Sequence, residues 1–194
     1  MRKLIIITFI LPLCFLACKS GKHAKEIKTI DSLYTVIDTI EKNLNSADTI
    51  KVKDVFEEYM KNIGQIRDCF NDKKGDTTWK IITPYGIIRK PLKNFLNDYS
   101  GLYEEIRYSR KQLDNLKADI EGENIQKDTI SEYTINEVTS VNRLKQIVNF
   151  SVDGVQKNLK LFDSLNPKVI QLIEQLKKDG KIKKSEKYKT EEDD

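Results

Sequence analysis

From Leu92 to Ile120 the chain repeats one pattern without a break: Leu92, Phe95, Tyr99, Leu102, Ile106, Ser109, Leu113, Leu116 and Ile120, at steps of three and four. Such steps put every member on one side of an α-helix, because a helix turns once in 3.6 residues. A strand would alternate by two, and a loop would show no period. The stretch therefore predicts one helix of roughly 30 residues, about 45 Å long. A helix of that length with one apolar stripe must bury the stripe against other helices. Pro91 suits its first turn, where no N–H is needed, and Glu121-Gly122-Glu123-Asn124 suits its end. Ser109, the one polar member, can bond back to the preceding turn.

Matching stripes lie on both sides. Ile30, Leu33, Ile37, Ile40 and Leu44 predict a first helix over about residues 26–44 at the heptad period. Asn45-Ser46-Ala47-Asp48 interrupts it, and the Asp48 carboxylate can cap the next helix. Val52, Phe56, Tyr59, Ile63, Ile66 and Phe70 form the second stripe, widened by Val55 and Met60. Beyond the long helix, Asp128 is a candidate cap for a fourth. Its face carries Ile135, Val138, Val141, Leu144, Val148, Val152, Val155, Leu159 and Phe162, with Gly154 allowing a close approach or a bend. Asn166-Pro167 predicts a restart, followed by a short last helix bearing Val169, Ile170, Leu172, Ile173 and Leu176.

Residues 71–90 break the helical period. Asp72-Lys73-Lys74-Gly75-Asp76 reads as a polar turn, and Thr78-Trp79-Lys80-Ile81-Ile82 is strand-like in composition. Thr83-Pro84-Tyr85-Gly86 fits a type I turn, with Ile87-Ile88-Arg89 as the returning strand. The fold expected is all-α: an antiparallel bundle of four main helices over residues 26–178, with a small β-hairpin insert at 71–90 and a short C-terminal helix. The insert's apolar residues Trp79, Ile81, Tyr85 and Ile87 either cap one end of the core or form a partner-binding tip. Residues 179–194, basic and then acidic, hold too little apolar surface to offset the entropy of ordering.

The residue inventory speaks against packed catalytic sites. His23 is the only histidine and lies before the first helix, so triads built on an imidazole and Glu-x-x-His metal pairs are not expected. No paired cysteines for zinc and no glycine-rich phosphate loop occur. Glu57-Glu58 and Glu104-Glu105 are adjacent on helices, and adjacent residues do not face each other. No catalytic residue, metal site or cofactor is expected, and the chain reads as a non-enzyme. Charged residues make up 33%, with both signs interspersed, which suits solvated helix faces and not a nucleic-acid surface.

The first seventeen residues differ from all the rest. Arg2 and Lys3 precede an apolar run from Leu4 to Ala17, the order of a secretory leader. The run is too short to span a bilayer. Phe15-Leu16-Ala17-Cys18 resembles the lipobox of bacterial lipoproteins, with Ala17 as the small residue before the cut and Phe15 where Leu is usual. The resemblance covers only the leader and Cys18. It implies cleavage before Cys18, acylation of its thiol and amine, and a tether over 18–25. It also implies a membrane reached through that lipid, with palmitate as the label to follow. Lys19-Ser20-Gly21-Lys22-His23 carries no acidic run of the kind that accompanies export to the outer face in Bacteroidetes-type bacteria, so the expected address is the outer membrane, facing the periplasm. Of three cysteines, Cys14 leaves with the leader and Cys18 is acylated, which leaves Cys69 without an intramolecular partner, as a buried thiol or an intermolecular bridge.

Asp followed by Ser or Thr and a small or apolar residue recurs six times, placing a hydroxyl at Ser32, Thr39, Thr49, Thr77, Thr129 and Ser164. The triplet resembles the O-glycosylation acceptor of Bacteroidetes-type envelope proteins. Helix capping is the alternative, and it accounts for Asp48 and Asp128 better than for Asp31 and Asp38, which fall inside the first helix. Taken together, these readings predict a periplasmic lipoprotein that binds another envelope protein, or else one that carries a small apolar ligand between its helices.

Overall fold

The computed structural model describes residues 23–69 and 76–178. The leader, Cys18, Phe70, residues 72–75 of the expected polar turn and the charged tail lie outside them, as do the side chains of Cys69 and Thr77, while Asp76 opens a helix. Five helices are present among the described residues: α1 (Ala24–Asn45), α2 (Thr49–Cys69), α3 (Asp76–Gly86), α4 (Arg89–Glu121) and α5 (Lys127–Lys178). The all-α expectation holds, and the described residues contain no strand.

The five helices lie in three columns. Asn43 of α1 hydrogen-bonds Asn149 of α5, and Asn62 of α2 hydrogen-bonds Asn166 of α5. Partner numbers rise together, so α1 and α2 run the same way along α5, end to end. Against α4 the order reverses: Asp31 meets Lys117, Glu41 meets Tyr103, and Asn45 meets Tyr99. Tyr59 then meets Gly86 in the next stretch of the same column. The first column is thus α1 and α2, the second is α3 and α4 running antiparallel to it, and α5 alone is the third. At 1.5 Å per residue, the 52 residues of α5 span about 78 Å.

Each break has a local cause. The Asp48 carboxylate accepts from Ile50 N–H at 3.0 Å and Lys51 N–H at 3.1 Å, capping α2 as expected. The stripe crosses this break almost in phase. Leu44, Ala47, Val52, Val55, Tyr59 and Ile66 are all buried, and one extra residue between Ala47 and Val52 is absorbed at the junction. That near-continuity is why α2 carries on along α5 instead of folding back. At the far end of α4, Glu123 takes a left-handed φ of 52° and closes the turn, with Asn124 N–H donating to Asp119 O at 2.9 Å.

Three expectations are corrected. The antiparallel four-helix bundle is replaced by three columns, because α1 and α2 run in line along α5 and do not fold back on each other. The hairpin insert is helix α3, and its strand-like composition is overridden by phase. Ile81, Tyr85, Ile88 and Leu92 continue the α4 repeat backwards at steps of four, three and four, and they pack on the same core. Pro84 lies within α3, and only the turn at 87–88 separates it from α4. The restart at Asn166-Pro167 is likewise absent, so the fourth helix and the short C-terminal helix are one helix, α5. The cost of an internal proline, about 3 kcal/mol, is offset by core packing on both sides, where Phe162, Val169 and Ile173 are buried. Pro167 itself faces solvent, as does Asp163, whose carbonyl loses the helical partner.

The predicted faces hold for α1 and α4, including Ser109, which is buried. They shift elsewhere. Asn62 occupies the buried line of α2 where Ile63 was expected, and Met60 is exposed. On α5, Thr134 and Asn158 are buried beside the expected Ile135 and Leu159, and Ile135 is 60% exposed. Both buried polar groups are satisfied within the helix, Thr134 Oγ1 donating to Ile130 O at 2.8 Å and Asn158 Nδ2 to Gly154 O at 2.8 Å.

Candidate functional site

Exposed apolar surface gathers where α4 passes α5 near the middle of the bundle. Lys90, Pro91, Asn94, Asp98 and Leu102 form one wall of a groove, and Ile147, Phe150, Ser151 and Gly154 form the other. These positions repeat at three and four residues on each helix, so the groove runs beside the core stripes. Its volume is about 530 Å³. Phe150 is 84% exposed, far beyond any other large apolar side chain near it, and Ile147 is also exposed. Gly154 leaves the floor open: a Cβ there would lie 4.0 Å from Cβ of Pro91, in ordinary contact. Lys90, Asp98, Asn94 and Ser151 make a polar rim with no net charge. Such a surface can hold an apolar group and orient it by hydrogen bonds.

The residues predicted as a partner-binding tip do not come together. Tyr85 is fully buried, and Ile81 packs against the core. Trp79 is 48% exposed on α3 and Ile87 61% exposed in the turn after it. The helical period explains the division, since Ile81 and Tyr85 share the core side of α3.

Of the predicted acceptor hydroxyls, Ser32, Thr39 and Ser164 are exposed, and Thr49 and Thr129 are half-buried. Most bond to their own helix: Ser32 Oγ donates to Thr29 O at 2.6 Å, Thr39 Oγ1 to Thr35 O at 2.9 Å, and Ser164 Oγ to Leu161 O at 2.9 Å. The acidic residues of the first two triplets have a structural use. Asp31 pairs with Lys117 at 2.7 Å and Asp38 with Arg110 at 2.9 Å, both across to α4. Arg110 reaches Glu41 as well, at 2.9 Å. The bond to Asp38 first, and then Glu41, holds the guanidinium above its usual pKa. Tyr34 adds to this seam by donating to Asp114 at 2.6 Å; burial and then that carboxylate raise its hydroxyl well above the usual range.

A second polar group lies inside the far half. Tyr85 OH, Asn62 and Asn166 are mutually bonded in the core, and burial pushes the Tyr85 hydroxyl up to about 12. The Tyr59 hydroxyl is raised by burial too; its ring lies tilted against that of Tyr85 at 5.1 Å between centroids, and Phe162 stacks on Tyr85 at 5.9 Å.

Among the described residues no cluster of three or more His, Cys, Asp or Glu is placed to hold a metal ion, and no helix is long and apolar enough to cross a membrane. No family model, curated protein or solved structure matches this chain.

Ile147 and Phe150 are not among the site residues expected from the sequence. Both lie off the core stripe, where an apolar residue carries no period. The only available signal was their size on a face otherwise lined by polar residues.

Proposed function

We propose that the chain is a lipoprotein tethered through Cys18, and that its bundle is a non-enzymatic module that binds another protein of the envelope. The observation that carries this reading is Phe150, a nearly bare phenylalanine on the lip of a preformed groove. Large exposed aromatic residues beside a concave apolar surface are the usual anchors of protein contacts. The Asn43–Asn149 bond sets the groove level with the end of α1, about 30 Å along the column from Ala24. The expected tether over 18–25, of which Ala24 and Lys25 are helical, would limit how far from the membrane that groove can lie. Photocrosslinking from Ser151 in native membranes is expected to trap one discrete partner. Phe150→Asp should abolish that product with the melting temperature unchanged, and an undiminished product rules the groove out.

The lipid anchor rests on the lipobox resemblance. Labelled palmitate should mark the wild type and not Cys18→Ala, and persistent label in the variant would refute it. The periplasmic address rests on the tether lacking an acidic run. Protease added to intact cells should leave the chain whole. Glycosylation rests on the six triplets and the exposure of Ser32, Thr39 and Ser164; the intact mass from the native host decides it.

A second reading is supported by the groove volume of about 530 Å³, which falls in the range of small-molecule sites. A carrier would copurify with an apolar compound visible by native mass spectrometry, and that compound would raise the melting temperature. An empty protein that still crosslinks to its partner favours the first reading.

A further inference from the structure

In the far half of the bundle three helices exchange side-chain hydrogen bonds within the core. Asn62 of α2 donates through Nδ2 to Asn166 Oδ1 at 2.8 Å and to Tyr85 OH at 3.3 Å. Tyr85 of α3 donates to the same Asn166 Oδ1 at 2.9 Å. Asn166 of α5 passes its own amide outward, Nδ2 donating to Glu58 Oε1 at 2.7 Å. Tyr85 is fully buried and the two asparagines nearly so. Among the described residues no buried side-chain N or O lacks a partner.

The apolar residues around this layer cannot choose an alignment by themselves. Apart from the rings of Phe56, Tyr59 and Phe162, the core around it is mostly Ile, Val and Leu at three- and four-residue steps, so moving one column by a turn or a heptad still sets carbon against carbon. The same move separates Asn62, Tyr85 and Asn166 and leaves buried amides facing hydrocarbon, which is unfavourable because nothing replaces their hydrogen bonds. In the other half, the ion pairs between α1 and α4 are screened by salt, and the Asn43–Asn149 bond from α1 to α5 is only part-buried and does not involve α2 or α3. We infer that the Asn62–Tyr85–Asn166 layer is a register lock, fixing α2 and the α3–α4 column against α5 and excluding shifted or intermolecular pairings. It also explains why Asn166 ends no helix: its side chain is spent across the bundle instead of on the backbone of a new first turn.

The test separates alignment from stability. In the full chain, Asn62→Leu, Tyr85→Phe and Asn166→Leu together make the layer apolar. The triple variant is expected to melt at or above the wild-type temperature, yet to show bimodal hydrogen-exchange envelopes for α3 peptides or mixed species in sedimentation. Asn166→Leu alone removes the shared acceptor and should melt lower, by roughly 3–8 °C, while keeping one register. A triple variant with single envelopes and a single species overturns the proposal. So does a triple variant less stable than Asn166→Leu, since the layer would then supply stability and not alignment.

Discussion

The two halves of the bundle use different means to hold the same three columns together. In the half built from α1, α4 and the start of α5, the core is periodic and apolar apart from Ser109 and Thr134, and the ion pairs Asp31–Lys117 and Asp38–Arg110 and the Tyr34–Asp114 bond lie at its rim. In the half built from α2, α3 and the end of α5, the polar contacts are inside, around Tyr85, and both internal prolines fall there. Rim contacts add little stability because water and salt compete for them. Buried ones matter in proportion to what their loss would leave unpaired. The first half is therefore stable by packing, and the second owes its alignment to a few specific groups.

The contrast can be broken by substitution. Leu113→Ala in the first half removes a wholly buried side chain and should cost about 2–5 kcal/mol in urea unfolding. A much smaller loss would mean that this half does not depend on its core. In the second half, Tyr85→Phe should cost about 1–2 kcal/mol near neutral pH, because two asparagine groups lose a partner. The same tyrosine makes the second half sensitive to base. Its hydroxyl ionises near 10 when unfolded and at about 12 when folded, so its contribution is complete below about pH 10 and is lost as the pH rises through about 12. Tyr59 acts in the same direction. The urea midpoint should fall between about pH 10 and pH 12, and Tyr85→Phe should flatten that fall.

Smaller effects sharpen the picture at the edges. Glu123→Gly relieves a left-handed residue in the α4–α5 turn and should stabilise the chain by about 1 kcal/mol. No gain would show that the Glu123 side chain compensates for its backbone. Arg110→Met removes the fork to Asp38 and Glu41 at the rim and should cost under about 1 kcal/mol, with the difference vanishing in 1 M salt. A larger, salt-independent loss would move this seam into the class of the Tyr85 layer.

How far each half could be read in advance follows from the same contrast. The faces of α1 and α4 were legible because every core position there is apolar apart from Ser109, so periodicity marked them directly. The second half was not, because its core line passes through Asn62, Tyr85 and Asn166. A polar residue in a stripe reads as a shifted face, as with Ile63 beside Asn62, or as a cap, as with Asn166 before Pro167. The α3 segment carried a usable signal, the heptad phase running from Ile81 through Ile88 into Leu92, masked by its strand-like composition and Pro84. The groove's apolar lip, Ile147 and Phe150, lies off the predicted stripe of α5 and so was not marked by it.

The chain alone determined that helices form, where α1 and α4 lie, how α2 is capped by Asp48, and that one apolar stripe per helix must be buried. Those are local matters, decided by 3.6-residue periodicity and by free backbone groups at helix ends. The tertiary structure decided that α1 and α2 continue in line, that α3 joins α4 in a second column, and that α5 passes through Pro167 unbroken. Each depends on what residues distant in sequence offer in return. Asn166 stays helical because Asn62, Tyr85 and Glu58 supply its partners, and Phe150 stands exposed on a groove that it lines together with Gly154 and Pro91.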